Sequence, residues 1–371
     1  MSRFTVVIPA KSEEEHIGAA LEALANQVDV ATGRALAPGT FDVVVYCNDC
    51  DDDTAGIARR IAAASSHVAI DVVETRLPRD AAHVGGARKA ALDLAVARIV
   101  ENGDGIVAST DADTVVSPTW ISATLQEMAH VDAVAGFVIV KASERDAMLA
   151  PMRLLYDLEV TYRHLLGGVC TAIDPLPYEA VPQHDSFVGA SFAVTTRAYV
   201  ATGGLPPLSH LEDLAFCDAL VAIDARVRHS FAVRAYTSAR TSARVDGGFA
   251  SLLASMTNLA ASKRDYLVRS ARASIEDAQI RSLLRAVRAG RHDAERLRSL
   301  EALTGIGASE ISRLASGART FGTLWLHVRA RSPQSGYPDE PIQSAIRALR
   351  CAAEDGMPFD PTRSSVASGA G

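Results

Sequence analysis

Short apolar runs alternate with amphipathic stretches over the first 140 or so residues. Phe4-Thr5-Val6-Val7-Ile8-Pro9, Asp42–Cys47, Val68–Glu74, Gly105–Thr110 and Asp132–Val140 are rich in β-branched residues and end at polar or turn-forming positions, so they read as strands. Between the first two, Ile17, Leu21 and Leu24 recur at helical spacing, and Ile57 with Ile61 marks a second helix. Ser12-Glu13-Glu14-Glu15 reads as a capping box opening the first helix. Ser117-Pro118 reads as an N-cap followed by proline at the first position of a helix running to Met128. The centre of the second strand, Val43-Val44-Val45-Tyr46, is apolar throughout, as expected of a parallel strand covered on both faces. This alternation predicts an α/β fold with a mainly parallel sheet flanked by helices.

The pattern then changes. Residues 150–166 form an amphipathic helix through Leu154, Leu158, Tyr162 and Leu165, and Gly167 to Ser186 follows without periodicity. A loop of that length in a compact domain reads as functional or mobile, so 167–187 reads as a lid or acceptor-contacting loop, with simple disorder as the alternative. Phe187 to Val194 returns to strand character, Gly203-Gly204-Leu205-Pro206-Pro207 is a turn, and His210-Leu211-Glu212-Asp213-Leu214 enters a helix with Leu214, Cys217 and Val221 on its apolar face. From Phe249 onward the signal is helical without strands: Phe249–Tyr266, Ser274–Ala289, a turn at Gly305-Ile306-Gly307, Glu310–Arg331, and a weaker Ile342–Ala353. The expected division is an α/β domain over 1–248, a helical region over 249–356, and a disordered tail over 357–371, rich in Pro, Ser, Gly and Ala. No internal repeat is evident.

Composition narrows the class. With 371 residues, 48% of them hydrophobic, the chain can bury one large core or a core and an appendage. No apolar run approaches the roughly 20 residues of a spanning helix, and Met1-Ser2-Arg3-Phe4 leads into a strand without a signal-peptide core, so the expected location is the cytoplasm. The five cysteines read as free thiols, since Cys47-x-x-Cys50 lacks the second pair of a zinc site. The net charge of −7 conceals an asymmetry: residues 1–250 sum to −12 and residues 251–371 to +5. The acidic part argues against a nucleic-acid partner. The basic part reads first as a solvated face, leaving peripheral contact with an anionic membrane surface open.

Chemistry concentrates at strand ends. Ser109-Thr110-Asp111-Ala112-Asp113-Thr114 follows an apolar run, and alternate side chains of a strand share a side, so Asp111 and Asp113 should emerge together. Two such carboxylates suit a hard divalent ion, because Mg²⁺ often takes one or two protein carboxylates and completes its shell with water and substrate phosphates. A solvated loop with a helix cap explains the same residues equally well. Asn48-Asp49-Cys50-Asp51-Asp52-Asp53-Thr54 is a second acidic loop, and in open α/β sheets ligands lie beyond the carboxyl ends of the strands. His83-Val84-Gly85-Gly86-Ala87-Arg88-Lys89 puts glycines and cations at a helix N-terminus, an arrangement that favours anions and is equally used in tight turns. Glu212-Asp213 is a second carboxylate pair, read either as first-turn acids complementing the helix dipole or as a general base. His210 and His229 read as exposed or satisfied histidines before metal ligands.

In order, Val7-Ile8-Pro9-Ala10-Lys11-Ser12-Glu13-Glu14, the loop ending Asp52-Asp53-Thr54, Gly85-x-Ala87-Arg88, Thr110-Asp111-Ala112-Asp113, Gly189-Ala190-Ser191, Gly203-Gly204 and Glu212-Asp213 resemble the family 2 glycosyltransferases with the GT-A fold. The resemblance covers roughly the first two-thirds of the chain. It implies a Rossmann-like, mixed, mainly parallel sheet, to which the helices read after Phe249 add a C-terminal extension, and a nucleotide-sugar-dependent hexosyltransferase. It further implies Pro9, Ala10, Glu13 and Asp49 at the nucleotide, Arg88 at the diphosphate, Asp111 and Asp113 (the D-x-D pair) at Mn²⁺ or Mg²⁺, and Asp213 beside Glu212 as the base. The donor would be a nucleoside-diphosphate sugar. The acceptor would be a small molecule, glycan or lipid met by the 167–187 loop, and an oligomer is compatible with the pattern. The chain departs from the family at Ser12, commonly Asn, and at Cys47-Asn48-Asp49-Cys50, commonly Asp-Asp-Gly-Ser. A metal-dependent inverting transferase is the expected function. A retaining transferase of the same fold and a non-catalytic sugar-nucleotide-binding protein are the alternatives, and a nucleotidyltransferase is disfavoured because no Gly-rich, Lys-containing loop follows the first strand.

Overall fold

The predominantly apolar N-terminal run forms a strand because it sits between two parallel neighbours, and every residue from Phe4 to Ala10, Thr5 included, is buried. The structure, a computed structural model, describes residues 4–101, 103–240, 249–262, 264–291 and 293–354. The tail expected to be disordered, 357–371, lies outside the described residues. In chain order the elements are β1 (Phe4–Ala10), α1 (Ile17–Ala25), β2 (Asp42–Asn48), α2 (Thr54–Ala64), β3 (Ala69–Thr75), α3 (Val84–Val100), β4 (Ile106–Ser109), β5 (Val115–Val116) and α4 (Trp120–Met128). They continue with β6 (Ala133–Val140), α5 (Ala142–Asp146), α6 (Ala150–Ile173), β7 (Phe192–Thr195), α7 (Thr196–Ala201), α8 (Glu212–Ala222), β8 (Val227–Thr237) and α9 (Phe249–Ser262). The last are β9 (Leu267–Val268), α10 (Ala271–Arg288), α11 (Ala294–Thr304), α12 (Ala308–Gly317), α13 (Phe321–Arg331), β10 (Glu340–Pro341) and α14 (Ile342–Glu354).

The chain divides into two compact units, Met1–Leu154 with Ser186–Ser262, and Leu155–Asp185 with Lys263–Gly371. In the first, one mixed sheet runs in the order β3-β2-β1-β4-β7-β6-β8-β5. β1 to β4 are parallel, β7 is antiparallel to both β4 and β6, and β8 is parallel to β6. β8 therefore runs in the direction of β4, and the ends of β1, β2, β4 and β8 open on one edge of the sheet. Ala91, Leu92, Ala95, Val96 and Ile99 of α3 pack on one face with Val7, Val44, Val107 and a cluster of Phe187, Phe192, Tyr199 and Phe216. The second unit buries Tyr162, Leu165 and Val169 of α6 with Ala271 and with Ile342, Ile346 and Leu349 of α14. No helix among the described residues is long and apolar enough to cross a membrane.

Several expectations change. β8 has no counterpart in the apolar pattern, because a bulge at Gly136/Phe137 shifts its register against β6 and breaks the alternation that would have announced it. The run from Phe187 enters the ladder only at Phe192, since Val188 and Ser191 close a turn first. α6 continues to Ile173, so part of the expected lid is helix. α8 buries Glu212, Phe216 and Leu220, while Leu214 is half exposed. Glu310–Arg331 is two helices, broken where Thr320 and Thr323 form a capping box, and the helical region contains α11 and the small β9–β10 ladder. The expected capping box at Ser12 is absent: α1 starts at Ile17, and the Ser12 hydroxyl bonds Asp51 instead. α4 starts at Trp120 with Thr119 at its N-cap, so Ser117 forms the preceding turn.

Candidate active site

Arg88 is the centre of the site. α3 begins with His83, whose ring accepts a hydrogen bond from Gly86 N at 3.1 Å. Gly85 and Gly86 are required by packing, because a Cβ on either would collide with the backbone carbonyl of Leu208 or Ala81. This close packing carries Arg88, one turn into the helix, under the end of β4. There its Nε bonds Glu212 Oε1 (3.1 Å), one Nη bonds Ser109 Oγ (2.6 Å) and Gly189 O (2.9 Å), and the other bonds Asp111 Oδ1 (2.9 Å). Its side chain is only 3% exposed. Burial opposes the charge, but Asp111 and then Glu212 outweigh it and hold the guanidinium pKa above its ordinary value.

Asp111 and Asp113 lie in a turn just past β4, with Thr114 N bonded to Asp111 O at 3.1 Å, so turn geometry and not strand alternation sets their directions. Asp111 faces Arg88, and Asp113 Oδ2 faces Arg240 at 2.9 Å. Burial, then the neighbouring charge of Asp111, raises the Asp113 pKa above the usual carboxylate range. The two carboxylates are thus close enough to repel. Arg240 also clamps Glu13 with both Nη groups at 3.0 Å. Four carboxylates, Glu13, Asp111, Asp113 and Glu212, accordingly share two guanidiniums.

The nucleotide candidates gather at the same edge. Pro9 and Ala10 end β1, and Cys50 Sγ lies 3.6 Å from Ala10 O and 3.3 Å from Ser12 N. The β1 and β2 loops are zipped together, since Glu13 N donates to Thr54 Oγ1 (2.7 Å), Glu14 N to Asp52 (3.0 Å) and Asp53 N to Glu14 (3.0 Å). Most acids of the second loop thereby acquire structural partners. Asp49 adopts a left-handed backbone (φ 55°) and pairs with Arg76 (3.0 Å) and Lys11 (3.7 Å). Ser12 (φ 51°) and Leu211 (φ 57°) are left-handed too.

In the first turn of α8 the two acids differ. Glu212 is buried against Arg88, whereas Asp213 is half-buried, its Oδ2 accepting from Gly189 N (2.9 Å) and its Oδ1 from Leu214 N (2.8 Å). Of these two, only Asp213 has solvent access suited to proton transfer. His210 is exposed and bonded to Ser209. Sequence reasoning missed Arg240, which follows the unrecognised β8, and Glu144 of α5. Glu144 accepts from Ala239 N (2.6 Å) and Ser238 Oγ (3.1 Å) and fixes the backbone leading to Arg240.

Among the described residues no group of three His, Cys, Asp or Glu side chains gathers to hold a metal ion. The donors present, two hard carboxylates in the turn just past β4, fit a Mg²⁺-like ion that completes its shell with water and phosphate. They do not fit a closed structural site.

The mixed, mostly parallel eight-stranded sheet flanked by helices is of the GT-A class. The model of the glycosyltransferase-like family 2 matches residues 2–217, more than half of the chain, and the protein belongs to that family. It is similar to the mannosyltransferase PcManGT of Pyrobaculum calidifontis, solved with GDP-Man and Mn²⁺ (16% identity, TM-score 0.45, covering 95% of this chain and 86% of that one). It is similar to residues 1–349 of Staphylococcus aureus TarS (16%, 0.40, 91% and 92%). A third similarity is to the glucosyl-3-phosphoglycerate synthase of Mycobacterium tuberculosis, solved with Mn²⁺, UDP-Glc and glycerol 3-phosphate (17%, 0.34, 70% and 77%). No curated protein sequence matches the chain.

Proposed function

We propose that this glycosyltransferase moves a sugar from a nucleoside-diphosphate sugar to an acceptor hydroxyl with inversion, using a divalent cation. The observation that carries the reading is the charge imbalance at the sheet edge: Glu13, Asp111, Asp113 and Glu212 outnumber Arg88 and Arg240, leaving two negative charges in excess. Partly desolvated anions in excess favour a bound cation. Asp111 and Asp113 would hold Mn²⁺ or Mg²⁺, which supplies Lewis-acid neutralisation of the departing diphosphate.

The chain's own groups do the rest. Arg88 fixes Asp111 through Nη and Glu212 through Nε, so the ligand carboxylate is oriented before anything binds. Pro9, Ala10, Glu13 and Asp49 line the edge where base and ribose would lie. Asp213, its carboxylate steered by Gly189 N and Leu214 N, takes the proton from the acceptor hydroxyl as that oxygen attacks the anomeric carbon in line. The buried Glu212 acts as a positioning residue.

Calorimetry with UDP and GDP, with and without Mn²⁺, tests the donor site: Mn²⁺ should tighten binding of at least one of them, and no binding of either refutes the reading. Asp213→Asn should retain donor binding and lose transfer by roughly 10²–10⁴-fold, the usual worth of a general base. Equal loss of both would remove Asp213 from that role.

A further inference from the structure

Resting on that reading, we propose that Arg240 is a displaceable counter-cation: in the ligand-free protein its guanidinium holds Asp113 and Glu13 in place of the divalent ion, and it withdraws from Asp113 when the ion arrives. Two arginines serve this cluster, and they are built differently. Arg88 enters from a helix, is 3% exposed and is held by four hydrogen bonds. Arg240 enters from the coil after β8 and is 24% exposed, while its partners Asp113 and Glu13 are 12% and 9% exposed. The arginine is the most accessible member of its own triad.

A guanidinium and a divalent cation cannot both lie against one oxygen of Asp113, because their like charges repel across a partly desolvated site. One must yield, and the described residues leave room for the arginine to do so. Beside it opens a cavity of about 480 Å³ lined by Glu144, Met148, Leu149, Met152, Thr257 and Arg240 itself. Glu144, paired through Oε1 with Lys141 Nζ at 3.4 Å, adds its carboxylate to that wall, and its bonds to Ala239 N and Ser238 Oγ keep the backbone in place while the side chain swings. Glu13 can remain an anchor. The arrangement keeps Asp113 compensated at all times, avoiding an unpaired charge in a partly buried position. It also sets a low affinity for the ion alone, so that ion and diphosphate enter together.

The test measures Mn²⁺ binding to the full chain by the loss of the free-ion electron paramagnetic resonance signal, with Mn²⁺ alone and with Mn²⁺ plus UDP or GDP. Arg240→Gln should bind Mn²⁺ alone on the order of tenfold more tightly than the wild type, since a competing unit charge is gone. Arg240→Lys, which returns a charge without the bidentate fork, should fall between them and serves if Arg240→Gln folds poorly. Unchanged or weaker Mn²⁺ binding by Arg240→Gln, with the wild type still taking up Mn²⁺ in the presence of UDP or GDP, overturns the role of Arg240 and leaves the functional reading standing. No uptake by any form under any of these conditions overturns both.

Discussion

Gly189 lies so close to Arg88 that a Cβ at this position would stand 2.5 Å from Nη2 and 2.6 Å from Cζ of its guanidinium. The guanidinium cannot retreat, because it is fixed to Ser109, Asp111 and Glu212 as well as to Gly189 O. Gly189→Ala should therefore cost about 1–3 kcal/mol, the range for overpacking a filled interior. Urea denaturation would measure it, and a neutral result would mean that the site is looser than its hydrogen bonds imply.

Removing Arg88 should be more damaging. Arg88→Met leaves Glu212 buried and Asp111 without its nearest cation, and breaking a buried ion pair from one side costs about 3–5 kcal/mol. Adding Glu212→Gln should recover part of that loss, because the stranded charge disappears with it. A double-mutant cycle in urea checks the coupling, and strict additivity would contradict the pairing.

Asp132 gives a pH dependence. Its carboxylate accepts from Arg226 N (2.9 Å) and Nε (3.1 Å) where β6 and β8 begin. Burial pushes its pKa up, but the bonds from Arg226 outweigh burial and bring it below the usual value. A carboxylate depressed in the fold stabilises above its unfolded pKa and loses that contribution as pH falls through the folded value. Asp132→Asn should thus cost about 1.5–3 kcal/mol at pH 7, the worth of hydrogen bonds to a charged group. The gap should close below about pH 3.9 in thermal scans across pH. A gap independent of pH would rule out the ionised carboxylate as its source.

Cys50 should be the reactive thiol. A hydrogen bond from Cys47 lowers its pKa, burial opposes, and Ser12 N helps, bringing it to about 7. Its alkylation by iodoacetamide should have a midpoint near that pH by peptide mass mapping. Cys47→Ala should move the midpoint toward about 8.5, the value of a free thiol.

The sheet was readable where strands are buried on both faces, since the centres of β1 and β2, Val6-Val7-Ile8 and Val43-Val44-Val45, are apolar runs. It was unreadable where a bulge and arginines hid β8, and the loss of β8 from the pattern concealed Arg240 as well. Proximity between residues such as Glu13 and Arg240, 227 positions apart, has no periodic signature. The carboxylates of the site were visible because Asp111-Ala112-Asp113 and Glu212-Asp213 are unusual where they stand. Their division of labour was not, because nothing in two adjacent acids says which one turns inward to Arg88.

The left-handed backbones at Ser12 and Leu211 adjoin Glu13 and Glu212. An L-residue in that conformation costs roughly 1–2 kcal/mol that glycine does not incur. Glycine at either position would relax the turn and loosen the carboxylate beside it. Directed evolution for heat resistance alone should therefore sample these two loops readily, and the variants it enriches should bind donor less well than their parent.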